Sequence, residues 1–195
     1  MKKIIEVLRA YRPCCEQEER DRAFILDFIE KNPDALLREN PVAHLTASAW
    51  VVNAARDRVL MVYHKIYDSW SWTGGHADGA EDLLAVALRE CREETGVEHL
   101  RPVSEDVYSV EVLTVDGHEK RGSYVSSHLH LNLTWLLEAD ERDALRVCEE
   151  ENSGVRWFTL DGALAASTEP WFVERIYKKL NGKLSAFPRE TAGEQ

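Results

Sequence analysis

The sequence predicts an α/β protein built on a mixed β-sheet with helices packed against it. Three observations predict it. Val-rich segments with strand character lie on both sides of one strongly periodic helix, a further helical segment closes the chain, and the 195 residues contain no repeat or low-complexity tract. That length suits one domain with a short extension, and it buries a core without staples.

The elements follow in order. Lys3 to Tyr11 is a short amphipathic helix. Glu16 to Glu30 is a longer one, with Phe24, Ile25, Phe28 and Ile29 on helical spacing. Pro13 separates them, Asn32-Pro33 ends the second, and Asn40-Pro41 marks a boundary. Ser48 to Ala54 and Val59 to Tyr63 then read as a hairpin around Ala55-Arg56-Asp57-Arg58. A turn region carrying Trp70, Trp72, Gly74 and Gly75 follows. Glu81 to Thr95 is a helix, with Asp78 as its cap, Glu81 completing a capping-box-like pair, and Gly96 as its stop. Val107 to Val115 and Ser126 to Leu137 are strands joined by the polar link Asp116 to Gly122. Val155 to Thr159 is a short strand, and Glu169 to Leu180 is the closing helix. The expected organisation is a helical N-terminal extension over 1–44, a principal domain over 45–180 and a tail over 181–195.

Composition excludes several classes. With 44% hydrophobic and 30% charged residues the chain reads as soluble and globular. A formal net charge of −11 is the wrong sign for a non-specific nucleic-acid binder, and a polyphosphate ligand would need a cation as a bridge. No segment approaches the roughly 20 apolar residues that span a bilayer, and Glu6 and Arg9 break the N-terminal apolar run, so neither a membrane anchor nor a signal peptide is expected. Cys14, Cys15, Cys91 and Cys148 show no zinc-ligand spacing, and reduced thiols in a cytoplasmic protein are the expectation.

The chemistry lies on the Glu81–Thr95 helix. At about 100° per residue, Leu84, Leu88, Cys91 and Thr95 form the stripe expected to face the sheet, with Glu90, Glu93 and Glu94 on the opposite side. Three carboxylates at i, i+3 and i+4 repel one another. A hard divalent cation such as Mg²⁺ or Mn²⁺ reverses that sign. A solvated acidic face partly neutralised by Arg89 and Arg92 is the competing reading.

The frame around the glutamates weighs against that bland reading. Gly75, Glu81, Arg89-Glu90-Cys91-Arg92-Glu93-Glu94-Thr95-Gly96-Val97 resembles the Nudix box, G-x5-E-x7-R-E-U-x-E-E-x-G-U, with every fixed Gly, Glu and Arg in place. Cys91 at the first aliphatic position is a mild departure, because a buried free Cys behaves as a small hydrophobe. The resemblance covers about Leu45 to Leu180 and implies a Nudix-type α/β/α sandwich with mixed β-sheet. It implies a hydrolase that cleaves a diphosphate (phosphoanhydride) linkage in a nucleoside-diphosphate-type small molecule by metal-activated water. Glu90, Glu93 and Glu94 are then metal ligands, joined by the Gly74 carbonyl. Glu81 and Arg89 brace the box loop, between the conformationally free Gly75 and Gly96. The catalytic base is Glu90 or one of Glu149, Glu150 and Glu151, between which the sequence does not choose.

Substrate marks of named Nudix subfamilies are missing: no Pro stands near Val112, no Tyr near Thr114, and no SQPWPFP-type stretch occurs. His44 to Ser48, His64-Lys65 and Gly74-Gly75-His76 resemble a Nudix subgroup without a settled substrate. Thr73 and Ala80 depart from the usual Pro and Gly beside the box. Trp70 and Trp72 are candidates for stacking on a base, against packing in the sheet core. His76 is a candidate phosphate contact, and so are His128 and His130, which share one strand face. Trp50 and Trp135 read as core. The N-terminal helices cover the pocket, form a homodimer interface or simply pack on the core. Two alternatives remain open: a catalytically silent Nudix domain that senses a ligand and regulates a partner, and an isopentenyl-diphosphate-isomerase-like enzyme, which needs a reactive Cys near the site.

Overall fold

The computed structural model of the chain describes residues 1–120 and 122–187. In chain order the helices and strands are α1 (Lys2–Ala10), α2 (Glu16–Lys31), β1 (Ala43–Val52), β2 (Arg58–His64), β3 (Ser69–Ser71), β4 (Thr73–His76), α3 (Leu83–Thr95), β5 (Leu100–Pro102), β6 (Ser109–Val115), β7 (His118–Lys120), β8 (Ser123–Val125), β9 (His128–Ala139), β10 (Asn152–Thr159), α4 (Leu160–Ala166), α5 (Pro170–Phe172) and α6 (Lys178–Lys183). A π-helical turn, Val173–Tyr177, joins α5 to α6, and a 3-10 turn, Leu184–Ala186, follows α6. The α/β class, a multistranded sheet with helices packed on it, is as the sequence predicts.

The chain divides into two compact units. Among the described residues, 1–48, 74–87 and those of 104–135 form the first; 49–73, 88–103 and 136–187 form the second.

In the first unit β6 runs antiparallel to the first part of β9, with Val112 opposite Leu131. Helix α2 packs on β6 and against α1. Ile4 and Leu8 of α1 and Ile25 and Ile29 of α2 are buried. Full burial of each such side chain stabilises by roughly 1.5–3 kcal/mol. The N-terminal helices therefore cover their apolar stripe by packing within their own unit.

Side chains alternate across a strand, so Asn132 and Thr134 of β9 lie on the face opposite Leu131 and Leu133. That face is buried and polar. The Asn132 amide donates to Glu111 Oε2 at 3.0 Å, and Ser109 Oγ donates to Glu18 Oε1 at 2.8 Å. The hydroxyls of Thr46 and Ser48 donate to Asn132 Oδ1 at 3.0 and 2.8 Å. Tyr11 donates to Glu18 Oε2 at 2.7 Å, and burial beside that carboxylate pushes its phenol far above the ordinary range. Buried carboxylates persist only when hydrogen-bonded in this way.

In the second unit β2 pairs antiparallel with β1, β3 and β10, with Val52 opposite Val59, Val62 opposite Ser71 and Trp157 opposite Leu60. The end of β9 pairs with β5, Ala139 opposite Leu100. Trp50 stacks on Tyr177 with ring centroids 5.3 Å apart, and both are buried.

Several local expectations are corrected. Helix α3 begins at Leu83, not Glu81, because Asp78 and Gly79 take positive φ (46° and 86°) and turn the chain before it. The cap is Asp82, whose Oδ1 accepts from the Ala85 amide at 3.1 Å, whereas Asp78 pairs with Arg38. The Trp-Gly turn region contains β3 and β4, and the polar link after β6 contains the hairpin β7–β8. The closing helix runs from Pro170 to Lys183, close to the expected Glu169–Leu180, with a π-helical turn at Val173–Tyr177. Pro170 lacks an N–H and starts a new helix rather than continuing one. A separate helix, α4, precedes it and is capped by Thr159 Oγ1, which accepts from the Gly162 amide. Ordered packing runs past Gly182, since Leu184 is buried. The rest of the expected tail, 188–195, lies outside the described residues.

Candidate metal centre

Helix α3 presents Glu90, Glu93 and Glu94, but not on the face the helical wheel assigned. Its buried positions are Leu83, Val86, Ala87, Cys91, Glu94 and Thr95, while Leu84 and Leu88 are half-buried. The buried arc is rotated by about 75° from the expected stripe, at 100° per residue, toward the glutamates. Glu94 is consequently 5% exposed and the Glu90 side chain 14% exposed, while Glu93 remains 60% exposed.

Carboxylate oxygens of Glu90, Glu94 and Glu151 lie within 4.8 Å of one another. Of the three later glutamates the structure thus brings Glu151 to the helix, and it leaves Glu149 and Glu150 out of the group. Glu93, which the sequence places with Glu90 and Glu94, is also outside it. No group of this kind among the described residues includes Glu93.

The loop before β10 sets Glu151 in place. The amides of Glu151 and Asn152 both donate to the Cys148 carbonyl, at 3.0 and 2.9 Å. Asn152 is buried; its Oδ1 accepts from the Cys148 amide at 3.2 Å and its Nδ2 donates to the Glu94 carbonyl at 2.9 Å. One side chain therefore ties the loop that carries Glu151 to the helix turn that carries Glu94. Sequence reasoning missed Asn152, although a polar residue directly after the acidic run and before a strand was the available signal. Gly96 closes α3 at φ 77°, and a Cβ there would meet Arg146 Cβ at 2.8 Å, so the predicted helix stop also allows a close chain approach.

Burial raises the Glu90 carboxyl above its ordinary value; Arg89 opposes this, and Glu93 and Glu151 add to it. Arg89 donates to Glu90 Oε1 at 2.6 Å and lies 3.9 Å from Glu93. Glu81 meets the α-amino group of Met1 at 2.5 Å. Cys91 is buried and its thiol is pushed up to about 12 by burial, so it stays protonated and unreactive. That removes Cys91 as the nucleophile an isomerase-like site would need.

Gly74 and Gly75 lie in β4 of the first unit, where Gly74 approaches Ala47 and Ser48 so closely that no Cβ fits. His76 ends β4 and comes together with His44 of β1 and His130 of β9, with one ring nitrogen from each within 4.8 Å of the others. His128 joins His130, Nε2 to Nε2 at 3.2 Å, as their shared strand face predicts. Trp72 is corrected to a core residue: it is 8% exposed, edge-on to Phe172 and Tyr177. Trp70 lies edge-on to Tyr63 and Phe158. Trp50 and Trp135 are core, as expected.

Residues 42–180 match the NUDIX domain family. The chain belongs to that family. It is 30% identical over 95 residues to the asymmetrical bis(5'-nucleosyl)-tetraphosphatase of Rattus norvegicus, and 28% identical over 95 residues to that of Mus musculus. Each alignment covers 48% of this chain and 58% of the relative, so the chain spans less than two thirds of the curated relatives it matches. Among solved structures, a C. elegans Ap4A hydrolase binary complex superposes with a TM-score of 0.54 at 22% identity, covering 73% of this chain and 98% of that one. This last likeness concerns the fold. No described helix is long and apolar enough to cross a membrane, and all four cysteines are free.

Proposed function

We propose that this Nudix chain is a hydrolase of nucleoside phosphoanhydrides that works with Mg²⁺ or Mn²⁺ held by Glu90, Glu94 and Glu151. The observation that carries the reading is the convergence, within 4.8 Å, of Glu90 and Glu94 of α3 with the exposed Glu151 of the loop before β10. Such an oxygen-only donor set fits a hard dication. Placing two of the three carboxylates in half-buried or buried positions is costly without one. A bound dication would neutralise phosphate charge and lower the pKa of its water.

The chain's own groups do the rest. Glu90 or Glu151 is placed to accept a proton from attacking water. Arg89 holds Glu90 Oε1 and fixes the direction of its free lone pairs. Asn152 holds Glu151 against Glu94. Glu93, beside Arg89 and exposed, is an outer carboxylate in this reading. The names of the mammalian relatives make a dinucleoside tetraphosphate the first substrate to test, even without a Tyr near Thr114.

The test is nucleotide release from a panel of dinucleoside polyphosphates, nucleoside triphosphates and nucleotide sugars, with Mg²⁺, with Mn²⁺ and with chelator. Turnover that needs the cation and is lost in Glu94→Gln supports the proposal. Turnover in chelator, or full activity of Glu94→Gln, overturns it.

A further inference from the structure

The chain has seven histidines, and five of them, His44, His76, His118, His128 and His130, gather in the first unit. Ring centroids of His44 lie 5.0, 4.8 and 5.0 Å from those of His76, His128 and His130. We propose that His44, His76 and His130 form a second cation site, for a transition-metal dication of the Zn²⁺ type, with His128 alongside.

The hydrogen bonds set the direction of the lone pairs. His44 donates Nδ1–H to the Asn40 carbonyl at 3.3 Å, His128 to that of Ser126 at 2.8 Å, and His118 to that of Asp116 at 2.9 Å. A neutral imidazole that donates from Nδ1 keeps its lone pair on Nε2. Donation of the outer N–H to a backbone carbonyl is the usual brace of a metal-ligating histidine. His44 is 3% exposed, and its Nε2 is shielded from solvent with no hydrogen-bond partner. A buried acceptor left in that state costs roughly 1–3 kcal/mol, which a ligand at Nε2 would recover.

The same polarity argues against an anion. A phosphate needs N–H donors, whereas His44 gives its own to a carbonyl and keeps a shielded lone pair on Nε2; the His128 Nε2 lone pair accepts from His130 Nε2 at 3.2 Å. No carboxylate belongs to the group, so its donors are imidazole nitrogens, which suit Zn²⁺ and its neighbours rather than Mg²⁺. Zn–N bonds of about 2.0–2.1 Å imply a tetrahedral N···N edge of about 3.4 Å. The present 4.8 Å limit requires a modest closure of the three rings.

The test uses the full chain stripped with chelator and titrated with Co²⁺, whose visible d–d absorption reports four-coordinate nitrogen ligation. One equivalent is expected to give this four-coordinate absorption. The double variant His76→Gln/His130→Gln should weaken binding more than about 100-fold, while Glu94→Gln should leave the spectrum unchanged. Imidazole ¹⁵N NMR of the unmodified protein decides independently of how the variant folds. One equivalent of Zn²⁺ should shift His44, His76 and His130 and leave His64 and His99 in place. An unaltered spectrum in a folded double variant, Zn²⁺ shifts confined to other histidines, no binding, or shifts produced by inorganic phosphate instead of Zn²⁺ would each overturn the site.

Discussion

Gly74 offers a sharp test of how tightly β4 is laid on β1. A Cβ at Gly74 would stand 2.5 Å from Ser48 Oγ, 2.7 Å from the Ala47 carbonyl oxygen and 2.8 Å from Ser48 Cα. Ordinary carbon contacts begin near 3.5 Å, so each overlap is about 0.7–1 Å. The Ser48 hydroxyl can rotate, although this gives up its 2.8 Å bond to Asn132 Oδ1. The other two atoms are backbone of a buried strand and cannot move without separating β1 from its neighbours. Overpacking of this kind costs about 1–3 kcal/mol, and the disturbed Ser48–Asn132 bond adds about 1 kcal/mol. For a chain of this size each kcal/mol lowers Tm by about 2–4 °C. Gly74→Ala should therefore lower Tm by roughly 4–16 °C in a calorimetric or circular-dichroism melt. Gly182→Ala, inside α6 with no atom within 4 Å, serves as the control and should leave Tm unchanged or raise it by about 2–4 °C. A Gly74→Ala protein as stable as its parent would refute the steric argument and the strand placement behind it.

Three further outcomes follow from the structure. Glu151→Gln should lower kcat by at least about 100-fold, while Glu149→Gln and Glu150→Gln remain within a few-fold of the parent; equal losses in all three would show a diffuse acidic loop. Trp72→Ala should cost about 3–5 kcal/mol in denaturant unfolding with little change in KM, and the opposite pattern would restore base stacking. The His99 ring, 2.7 Å from Asp143 Oδ1, should titrate above 6.5 by NMR and return to about 6.5 in Asp143→Asn. The sign is fixed by the two shifts. His99 is raised, so its share of the pairing is present below about 6.5 and lost as pH rises through the raised value. Asp143 is lowered, so its share is present above about 3.9 and lost as pH falls through the lowered value.

The box was legible because its constraints are local. Gly96 must take φ 77°, Cys91 must be buried, and the glutamates recur on one side of a helix, all of which a single segment encodes. The hairpin β1–β2 and the strands β6 and β9 were legible for the same reason, since short runs rich in Val and Leu between polar stretches mark strands. What stayed hidden depends on partners distant in sequence. The choice of Glu151 over Glu149 and Glu150 is made by Asn152 reaching Glu94, a contact across 58 positions. The polar face of β9 looked like ordinary alternation, and nothing local shows that Glu18 and Glu111 lie buried beneath it. Trp72 was ambiguous until Phe172 and Tyr177 were placed around it.

The wheel error on α3 has a consequence for the chemistry. Had the glutamates faced solvent opposite the apolar stripe, their mutual repulsion would be a few tenths of a kcal/mol per pair and water would screen it. Instead the helix is turned so that Glu94 is buried beside Cys91 and Thr95, and Glu90 is mostly shielded. In that setting neighbouring carboxylates interact through a medium far less polarisable than water, so repulsion and attraction both grow. Arg89 can offset only part of this, because it engages Glu90 from an exposed position. A dication at the group would be held more firmly there than on a solvated acidic face, and it would stabilise the folded chain by binding it in preference to the unfolded one. Mg²⁺ or Mn²⁺ should therefore raise Tm in the parent and raise it less in Glu94→Gln. A shift of equal size in both proteins would mean that the cation acts elsewhere and that the buried glutamate is only a packing residue.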